Sequence, residues 1–308
     1  MLQDYQGIVT ASNIPSNTNV IKFSKGDVLL SNIRPYLKKV WYADRDGGCS
    51  ADVFVFKALA VCDTDFLHYI IANDRFINFT MSGAKGVKMP RGDKEQMKTY
   101  KIGLPSKEEQ RKIANLLRLL DERIATQNKV INRLQSLIKG IANKSFHVAR
   151  ETKPLLEFAP NITSGNDKNG SGTIPLYGST GIIGMVKNAS QKGNIVLVAR
   201  VGTIGTVQFV NEPCGVSDNA LIIEAGDMTK YIYYFLKTYN FARITSGTTQ
   251  PLITASSLKK IAIPIFDIER SSNIVRCLSG LEKKLNIEKR YLLDMVMIKQ
   301  YLLRQMFI

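Results

Sequence analysis

Histidine, cysteine and long apolar runs are all scarce in this sequence. The 308 residues include 2 histidines and 4 cysteines, and no C-x-x-C pair indicates a metal site or a redox switch. His68 and His147 are too few for a histidine-based metal cluster, so we expect each to be a surface or packing residue. No run approaches the ~18 consecutive apolar residues of a membrane span, and the amino terminus lacks the pattern of a targeting peptide. These absences predict a cytoplasmic protein with reduced thiols and no bound metal.

Recognisable catalytic motifs are also missing. Residues 165–170 have the glycine spacing of a phosphate-binding loop, but Ser171 stands where such a loop requires lysine. The glycines between residues 178 and 184 form a turn that does not match G-x-G-x-x-G. The sequence has neither the Asn-Pro-Pro-aromatic loop of an amino-methylating enzyme nor a convincing nuclease grouping of paired acids with lysine. An autonomous nuclease or methyltransferase is therefore disfavoured, and we expect no cofactor in this chain.

Positive charge, by contrast, is abundant. Lys and Arg number 42 against 26 Asp and Glu, which gives a formal net charge of +16. Residues 1–150 carry +10 (24 − 14) and residues 151–308 carry +6 (18 − 12), so both halves share the positive field. Such a charge indicates a polyanionic partner, most often nucleic acid, although it also fits a basic protein without one.

The sequence repeats itself. Residues 26–30 (GDVLL) match residues 193–197 (GNIVL) at an offset of 167 (193 − 26). Further along, Gly83 matches Gly247 at an offset of 164 (247 − 83), and Pro105 matches Pro264 at an offset of 159 (264 − 105). Each half predicts short strands, one amphipathic helix, a polar loop and a strand that ends near proline.

Two long stretches have apolar residues at alternating spacings of four and three. This heptad pattern predicts two long helices with a narrow apolar seam. The seams lie 161 residues apart (274 − 113) and share one polar gap, at Gln127 and Glu288, while Lys299 replaces an apolar residue in the second. Ser106 and Glu109 have the spacing of a capping box at the first helix start. The seam residues are Ile113, Leu117, Leu120, Ile124, Ile131, Leu134, Ile138, Ile141, Ile274, Leu278, Leu281, Leu285, Leu292, Met295 and Leu302.

Candidate DNA-binding residues lie in two kinds of segment, the turn after the first apolar strand of each half and a later polar loop. In residues 82–96, cations recur at every third position, and the glycines and the proline predict a loop. Its counterpart, TSGTTQP at residues 245–251, offers hydroxyl and amide groups instead. Solvated loops without a ligand are the alternative. The candidates are Arg34, Lys38, Lys39, Lys85, Lys88, Arg91, Lys94, Arg200, Thr203, Thr248, Thr249 and Gln250.

Longer segments carry a family resemblance. They are FSKGDVLLSNIRPYLKK at residues 23–39, GAKGVKMPRGDK at 83–94, LPSKEEQRKIANLLRLLDERIATQNKVINRLQSLIKGI at 104–141, IPIFDIERSSNIVRCLSGLEKK at 263–284 and LLRQMF at 302–307. In these segments and in their duplicated order, the chain resembles the specificity (S) subunit of type I restriction-modification enzymes. The second copy is the more divergent, because IER stands where the first has EEQ.

The resemblance implies an α+β fold with an internal pseudo-two-fold repeat. Two target-recognition domains, mostly β with small helices, would be joined by two long antiparallel coiled-coil helices. We expect the first domain over residues 1–105, the first helix over 106–149, the second domain over 150–265 and the second helix over 266–308.

The resemblance further implies a non-catalytic subunit that binds a bipartite site on double-stranded DNA. Two modification (methyltransferase) subunits and two restriction (ATP-dependent endonuclease) subunits would be its partners. S-adenosylmethionine, ATP and Mg would be bound by those partners.

One departure from the family pattern concerns the amino terminus. Such proteins usually carry a segment before the point at which this sequence starts, so the first domain is expected to be truncated and to recognise its half-site less well. The alternative is a truncated or recombination-derived fragment that acts as a coiled-coil assembly scaffold without full sequence specificity. Sequence-selected DNA binding would distinguish the two.

Overall fold

The chain divides into two compact units that share two long helices. The computed structural model describes residues 2–3, 7–8, 20–247 and 251–307. The first unit comprises residues 1–129 and 290–308, and the second comprises residues 130–289. Among the described residues, no helix has the length and apolar character needed to cross a membrane.

Short antiparallel strands make up the β part of the first unit. The strands are β1 (Leu2–Gln3), β2 (Gly7–Ile8), β3 (Ile21–Phe23), β4 (Val28–Ser31), β5 (Val40–Tyr42), β6 (Gly47–Cys49) and β7 (Val53–Phe56). Strand β4 lies between β5 and β7, while β1 pairs with β2 and β3 pairs with β6. Both faces of β4 are covered, because Val28 and Leu30 pack in a cluster with Phe66 and Leu29 packs with Trp41. The apolar run VLLS is therefore a strand buried on both faces.

Three short helices follow the strands of the first unit. They are α1 (Thr64–Ile71), α2 (Asp74–Ser82) and α3 (Lys94–Lys98). The side chains of Asp63, Asn73 and Asp93 accept backbone N–H hydrogen bonds at their respective helix starts. Such caps satisfy donors that a helix leaves unpaired at its N-terminus, so these acidic and amide residues determine where each helix begins.

The first long helix, α4 (Lys107–His147), begins with the predicted capping box. The backbone N–H of Glu109 donates to the Ser106 hydroxyl at 3.3 Å, and the Glu109 carboxylate accepts from the Ser106 backbone N–H at 3.2 Å. The side chain of Gln110 is buried and donates to the carbonyls of Val61, at 3.1 Å, and Pro105, at 2.9 Å. It also accepts the N–H of Asp63 at 2.7 Å. The EEQ sequence thus fastens the start of α4 to the chain before α1.

The second unit contains more strands. They are β8 (Glu151–Pro154), β9 (Thr163–Ser164), β10 (Ile174–Tyr177), β11 (Ile182–Val186), β12 (Ile195–Ala199), β13 (Val207–Val210), β14 (Gly215–Val216), β15 (Ala220–Ile223) and β16 (Ala262–Ile265). The sheets have the orders β13-β12-β15-β9, β11-β10-β14 and β16-β8. The helices are α5 (Thr229–Leu236), α6 (Ala255–Lys259) and α7 (Ile268–Met306). All five residues of β12 are buried, as its apolar sequence predicts.

The predicted repeat is confirmed by the order of the elements. The sheet order β13-β12-β15 repeats β5-β4-β7, and α5 follows β15 as α1 follows β7. Helices α3 and α6 lie 161 residues apart (255 − 94), the same offset as the seams of α4 and α7. The α+β class and the pair of long helices are likewise confirmed.

Two details of the predicted repeat are wrong. The constant offset of 161 pairs Gly86, rather than Gly83, with Gly247, and it pairs Pro105 with Phe266 rather than with Pro264. Residues 99–106 form no strand in the described part of the first unit, whereas their counterpart contains β16. Strand β16 is hydrogen-bonded to β8, and the stretch 99–106 has no such partner among the described residues.

The long helices run in opposite directions within each unit. In the first unit, Ile113 and Leu117 of α4 share a cluster with Leu302 and Met306 of α7. In the second unit, Ile141 near the end of α4 lines a shallow groove with residues at the start of α7. All fifteen predicted seam residues are buried or half-buried. Lys299 stands in the seam as an ion-pair partner of Asp121.

Candidate nucleic-acid interface

A loop and a turn of the first unit are held together by backbone hydrogen bonds. Lys85 and Arg91 exchange two of them, both 2.9 Å long, and so close a seven-residue loop. The N–H of Arg34, in the turn after β4, donates to the carbonyl of Pro90 at 2.8 Å. The N–H of Gly92 donates to the carbonyl of Asn32 at 3.3 Å. We call residues 85–91 the first-unit loop. Backbone hydrogen bonds join its two ends to each other and join its second end to the turn.

Arg34 lies behind the first-unit loop in a constrained backbone conformation. Its φ of 54° and ψ of 63° fall in the left-handed region, which is uncommon for a residue other than glycine. Its Nη2 donates to the carbonyl of Lys88 at 3.4 Å. Its Nε is buried and has no hydrogen-bond partner among the described residues. The half-buried guanidinium of Arg34 therefore keeps one unused donor beside the loop. A left-handed backbone at a residue other than glycine is strained, and such strain is typical of functional sites.

The cations of the first-unit loop are exposed. Lys85 pairs with Asp93 at 2.9 Å and Arg91 pairs with Asp52 at 3.2 Å. The ammonium of Lys88 takes part in no ion pair within the described segments. Exposed ion pairs contribute little to stability, so both paired cations can exchange their carboxylates for phosphate oxygens at low cost. Arg91 can also present its fork of donors to a guanine edge.

Other predicted residues lie elsewhere in the first unit. Lys94 is the first residue of α3, so the predicted loop over residues 82–96 is wrong beyond Asp93, whose side chain caps the helix. The ammonium of Lys38 pairs with Asp74, and its side chain lines a cavity of about 760 Å³. Lys39 is half-buried, and its carbonyl accepts the N–H of Ser31 at 3.0 Å. The structure therefore brings together Arg34, Lys85, Lys88 and Arg91, and it assigns Lys38 to other contacts.

The second unit repeats the same construction. Ser246 and Leu252 exchange two backbone hydrogen bonds, of 3.0 and 2.9 Å, at positions 161 residues after Lys85 and Arg91 (246 − 85 and 252 − 91). The N–H of Ile253 donates to the carbonyl of Arg200 at 3.0 Å. This hydrogen bond is the counterpart of the one that Gly92 donates to Asn32. We call residues 246–252 the second-unit loop.

The glycine that opens each loop has the same backbone conformation. Gly86 has φ +96° and Gly247 has φ +89°, values that glycine adopts without the steric cost that a Cβ would add. A proline stands four residues later in both loops, at Pro90 and Pro251. Between them the first unit has Val87, Lys88 and Met89, and the second has Thr248, Thr249 and Gln250, which lie outside the described residues.

Arg200 and Thr203 belong to the turn after β12. Arg200 is half-buried and Thr203 is exposed. This turn contacts the glycine-rich turn of residues 178–181, because the Ser179 hydroxyl donates to the carbonyl of Val201 at 3.0 Å and the Thr203 hydroxyl donates to that of Ser179 at 3.5 Å. Sequence reasoning compared these glycines only with dinucleotide motifs and missed their place beside Arg200. The signal was available, since the glycines follow the apolar strand β10.

The arrangement suits a nucleic acid, which offers both negatively charged phosphates and base edges with hydrogen-bonding groups. In each unit the turn is hydrogen-bonded to a loop that a pair of backbone hydrogen bonds closes, and exposed cations lie in the first-unit loop. Such groups bind phosphate oxygens and position a protein on a duplex, whereas sequence is read by side chains that contact base edges in the grooves. Among the described residues, no group of three or more His, Cys, Asp or Glu side chains could hold a metal ion.

Comparison with known proteins gives one consistent family. A family model described as the type I restriction modification DNA specificity domain matches residues 3–136 and 151–294. The type I restriction enzyme EcoDI specificity subunit of Escherichia coli is 28% identical over 129 residues, which cover 41% of this chain and 29% of that protein. Alignments with three curated relatives cover between 29% and 62% of each relative's length.

Two solved structures have a similar fold. The crystal structure of the type I restriction-modification S subunit from M. genitalium gives a TM-score of 0.69 at 19% identity, covering 98% of this chain and 87% of that one. A structure from work on complex assembly and conformational transition of the type I R-M system gives a TM-score of 0.59 at 20% identity, covering 95% and 84%. These similarities extend over both units.

Proposed function

Because this chain belongs to the family of type I restriction modification DNA specificity domains, we propose that it is the DNA sequence-recognition subunit of a type I restriction-modification complex. The observation that carries the proposal is the duplicated loop. The Lys85–Arg91 and Ser246–Leu252 hydrogen-bond pairs place two equivalent loops in the two units. Two equivalent loops with different side chains suit a bipartite DNA site whose halves differ in sequence.

The role is one of binding rather than catalysis. The loops offer cations, hydroxyl groups and a guanidinium, which position DNA and contact base edges but do not cleave or methylate it. The modification subunits would bring S-adenosylmethionine, and the restriction subunits would bring ATP and Mg. Two copies of each subunit would match the two equivalent units of this chain.

The outer face of α7 supports the docking of a modification subunit. In the first unit, large apolar side chains on this helix are at least half exposed although the opposite face is packed against α4. They are Tyr291, Leu293, Met297, Ile298 and Tyr301. An apolar helix face of this kind is typical of a protein interface. Since the family functions in restriction and modification, we assign this face to the methyltransferase partner.

Docking is tested by co-purification of the full chain with its modification subunit. Replacing Tyr291, Ile298 and Tyr301 with Ser should abolish the complex in size-exclusion chromatography. The matched control replaces Ile182, Ile183 and Met185 of β11, which are equally exposed, and should leave the complex intact. An intact complex in the α7 variant would assign the partner to another surface.

Sequence recognition is tested by selection from a random library of duplexes. The full chain, alone and with the modification subunit, should enrich a sequence with two defined halves separated by a fixed spacer. Binding that salt weakens uniformly for all sequences would instead indicate an assembly scaffold. In that outcome the proposed recognition function would be rejected.

A further inference from the structure

The tip of the first-unit loop presents apolar side chains to solvent. Val87 is fully exposed, at 103% of its reference area, and Met89 is 51% exposed. Single exposed apolar residues are common on proteins and need no explanation. These two flank Lys88 in the middle of a loop that begins with Lys85 and ends with Arg91.

The loop holds this tip outward. Lys85 and Arg91 close it with two backbone hydrogen bonds. Arg34 donates further hydrogen bonds to the carbonyls of Pro90 and Lys88. In the loop conformation that these hydrogen bonds stabilise, Val87 is directed to solvent rather than into the core of the unit. An apolar tip in a rigid, cationic frame is suited to an apolar feature on a polyanion.

The two loops share a backbone frame and differ in most of their side chains. The backbone bridge, the left-handed glycine and the proline occur in both loops. Between the glycine and the proline the side chains change from Val-Lys-Met to Thr-Thr-Gln, and the bridging side chains change from Lys85 and Arg91 to Ser246 and Leu252. Different side chains on a shared backbone frame are expected of residues that select a ligand rather than of residues that maintain the fold.

We propose that Val87 and Met89 contact thymine 5-methyl groups and so select thymine in the half-site read by the first unit. The thymine methyl is the apolar group that the major groove displays at a base edge, and apolar side chains recognise it there. The cations Lys85, Lys88 and Arg91 would hold the flanking phosphates. This inference rests on the proposed function and adds to it the base that the first-unit loop selects.

The test removes the methyl groups from the DNA. Once a bipartite sequence has been selected, duplexes are made with deoxyuridine in place of thymidine in one half at a time. The affinity should fall about three- to tenfold when one half is changed and stay within twofold when the other is changed. The affected half then belongs to the first unit.

A double substitution assigns the effect to the tip. Val87→Ala with Met89→Ala should bind the thymidine duplex more weakly and should no longer distinguish it from the deoxyuridine duplex. The control, Leu59→Ala with Val61→Ala, changes two other exposed apolar residues of the same unit and should keep the wild-type discrimination. Unchanged thermal unfolding will show that both variants are folded.

The outcomes separate this inference from the proposed function. If no sequence is selected, the proposed function fails. If a bipartite sequence is selected but deoxyuridine has no effect in either half, or if neither half contains thymine, only the inference is overturned. Equal weakening of both duplexes by the tip variant would also overturn it, because the apolar contact would then be to another part of the DNA.

Discussion

The Tyr69 hydroxyl donates a 3.0 Å hydrogen bond to the carboxylate of Asp121, joining α1 to α4. Asp121 also accepts a hydrogen bond from the ammonium of Lys299 on α7. Burial and the nearby Asp121 carboxylate raise the pKa of Tyr69, so the hydroxyl stays protonated as a donor. Three elements of the first unit thus meet at one carboxylate.

The second unit repeats this contact. The Tyr234 hydroxyl donates to Glu282 at 2.9 Å, and Glu282 lies 161 residues after Asp121 (282 − 121). Lys237 supplies the cation, at 2.8 Å. In each unit, therefore, a small helix that supports the β-sheet is tied to a long helix by a tyrosine, a carboxylate and a lysine.

Removing the shared carboxylate should destabilise the first unit. Asp121→Ala leaves the Tyr69 hydroxyl and the Lys299 ammonium without their acceptor, and we expect a loss of about 2 kcal/mol in the free energy of unfolding. Tyr69→Phe should cost about 1 kcal/mol. Urea unfolding of the full chain measures both. Tyr36→Phe, at an exposed position, serves as the control, and an unchanged Asp121→Ala midpoint would contradict the prediction.

Acid should weaken the chain through His68. Burial lowers the pKa of His68 to about 4 from its ordinary value of 6.5, with Lys299 acting in the same direction and Asp121 against it. Between pH 6.5 and about 4, His68 is therefore protonated in the unfolded chain and neutral in the folded chain. The stabilising contribution is complete above pH 6.5 and is lost as the pH falls toward 4.

The corresponding measurement compares unfolding free energies at pH 7.5 and 4.5. From pH 7.5 to pH 4.5, the free energy of unfolding of His68→Leu should fall by about 2 kcal/mol less than that of the wild type. His147→Leu, at an exposed position, should lose as much as the wild type. Identical losses in all three proteins would show that His68 does not set the acid response.

Gln110 should be essential for the attachment of α4. Its side chain makes three hydrogen bonds to backbone groups of Val61, Asp63 and Pro105. Gln110→Ala leaves these groups without their partner, and the expected cost is about 2–3 kcal/mol. Gln135→Ala, at an exposed position on the same helix, should change stability by less than about 0.5 kcal/mol. Thermal unfolding that does not separate the two variants would refute this role.

The cations of the first-unit loop should set part of the salt dependence of DNA binding. Substituting Ala at Lys85, Lys88 and Arg91 should weaken affinity for all sequences and reduce the salt slope by about 2–3, since each phosphate contact contributes about 0.9. Fluorescence anisotropy over a range of salt concentrations measures the slope. Lys22, Lys25 and Lys57, also exposed in the first unit, are the matched set. If the DNA affinities of the two triple variants have equal salt slopes, the first-unit loop is not part of the DNA interface.

The opening glycine should be needed for loop shape. At Gly86, φ is +96°, and an added Cβ would lie 3.3 Å from the carbonyl oxygen of Met89. Gly86→Ala should cost about 1 kcal/mol in stability and weaken DNA binding by displacing the tip. Gly103→Ala, where an added Cβ meets nothing within 4 Å, should leave affinity unchanged. If both variants bind equally well, the left-handed conformation is not required for recognition.

Much of the fold could be predicted because its signals are local. The heptads of α4 and α7, the Ser106 and Glu109 capping box and the buried strand β4 each follow from a few neighbouring residues. The offsets between the repeats were harder, because insertions shift them from 167 near β4 to a constant 161 after Lys85. A glycine and a proline could be matched at the wrong offset until the backbone hydrogen bonds fixed the register.

The site was less predictable because it depends on contacts between distant segments. Sequence pattern identified Arg34, Lys85, Lys88 and Arg91 as separate candidates, and only the fold joins the turn to the loop. Val87 and Met89, which we propose to contact thymine, were not among the candidates, because apolar residues in a chain first suggest a core. The use of Lys38 for Asp74, and of Lys299 for Asp121, likewise depends on partners far away in sequence.

On the proposed function, the shared loop frame would allow specificity to change by point substitution. In both loops a left-handed glycine, a proline and one backbone bridge surround three side chains that differ between the units. On the proposed function, exchanging these three side chains in one unit would alter one half-site and leave the loop of the other unit unchanged. A few codons would then be enough for the gene to acquire a new DNA target.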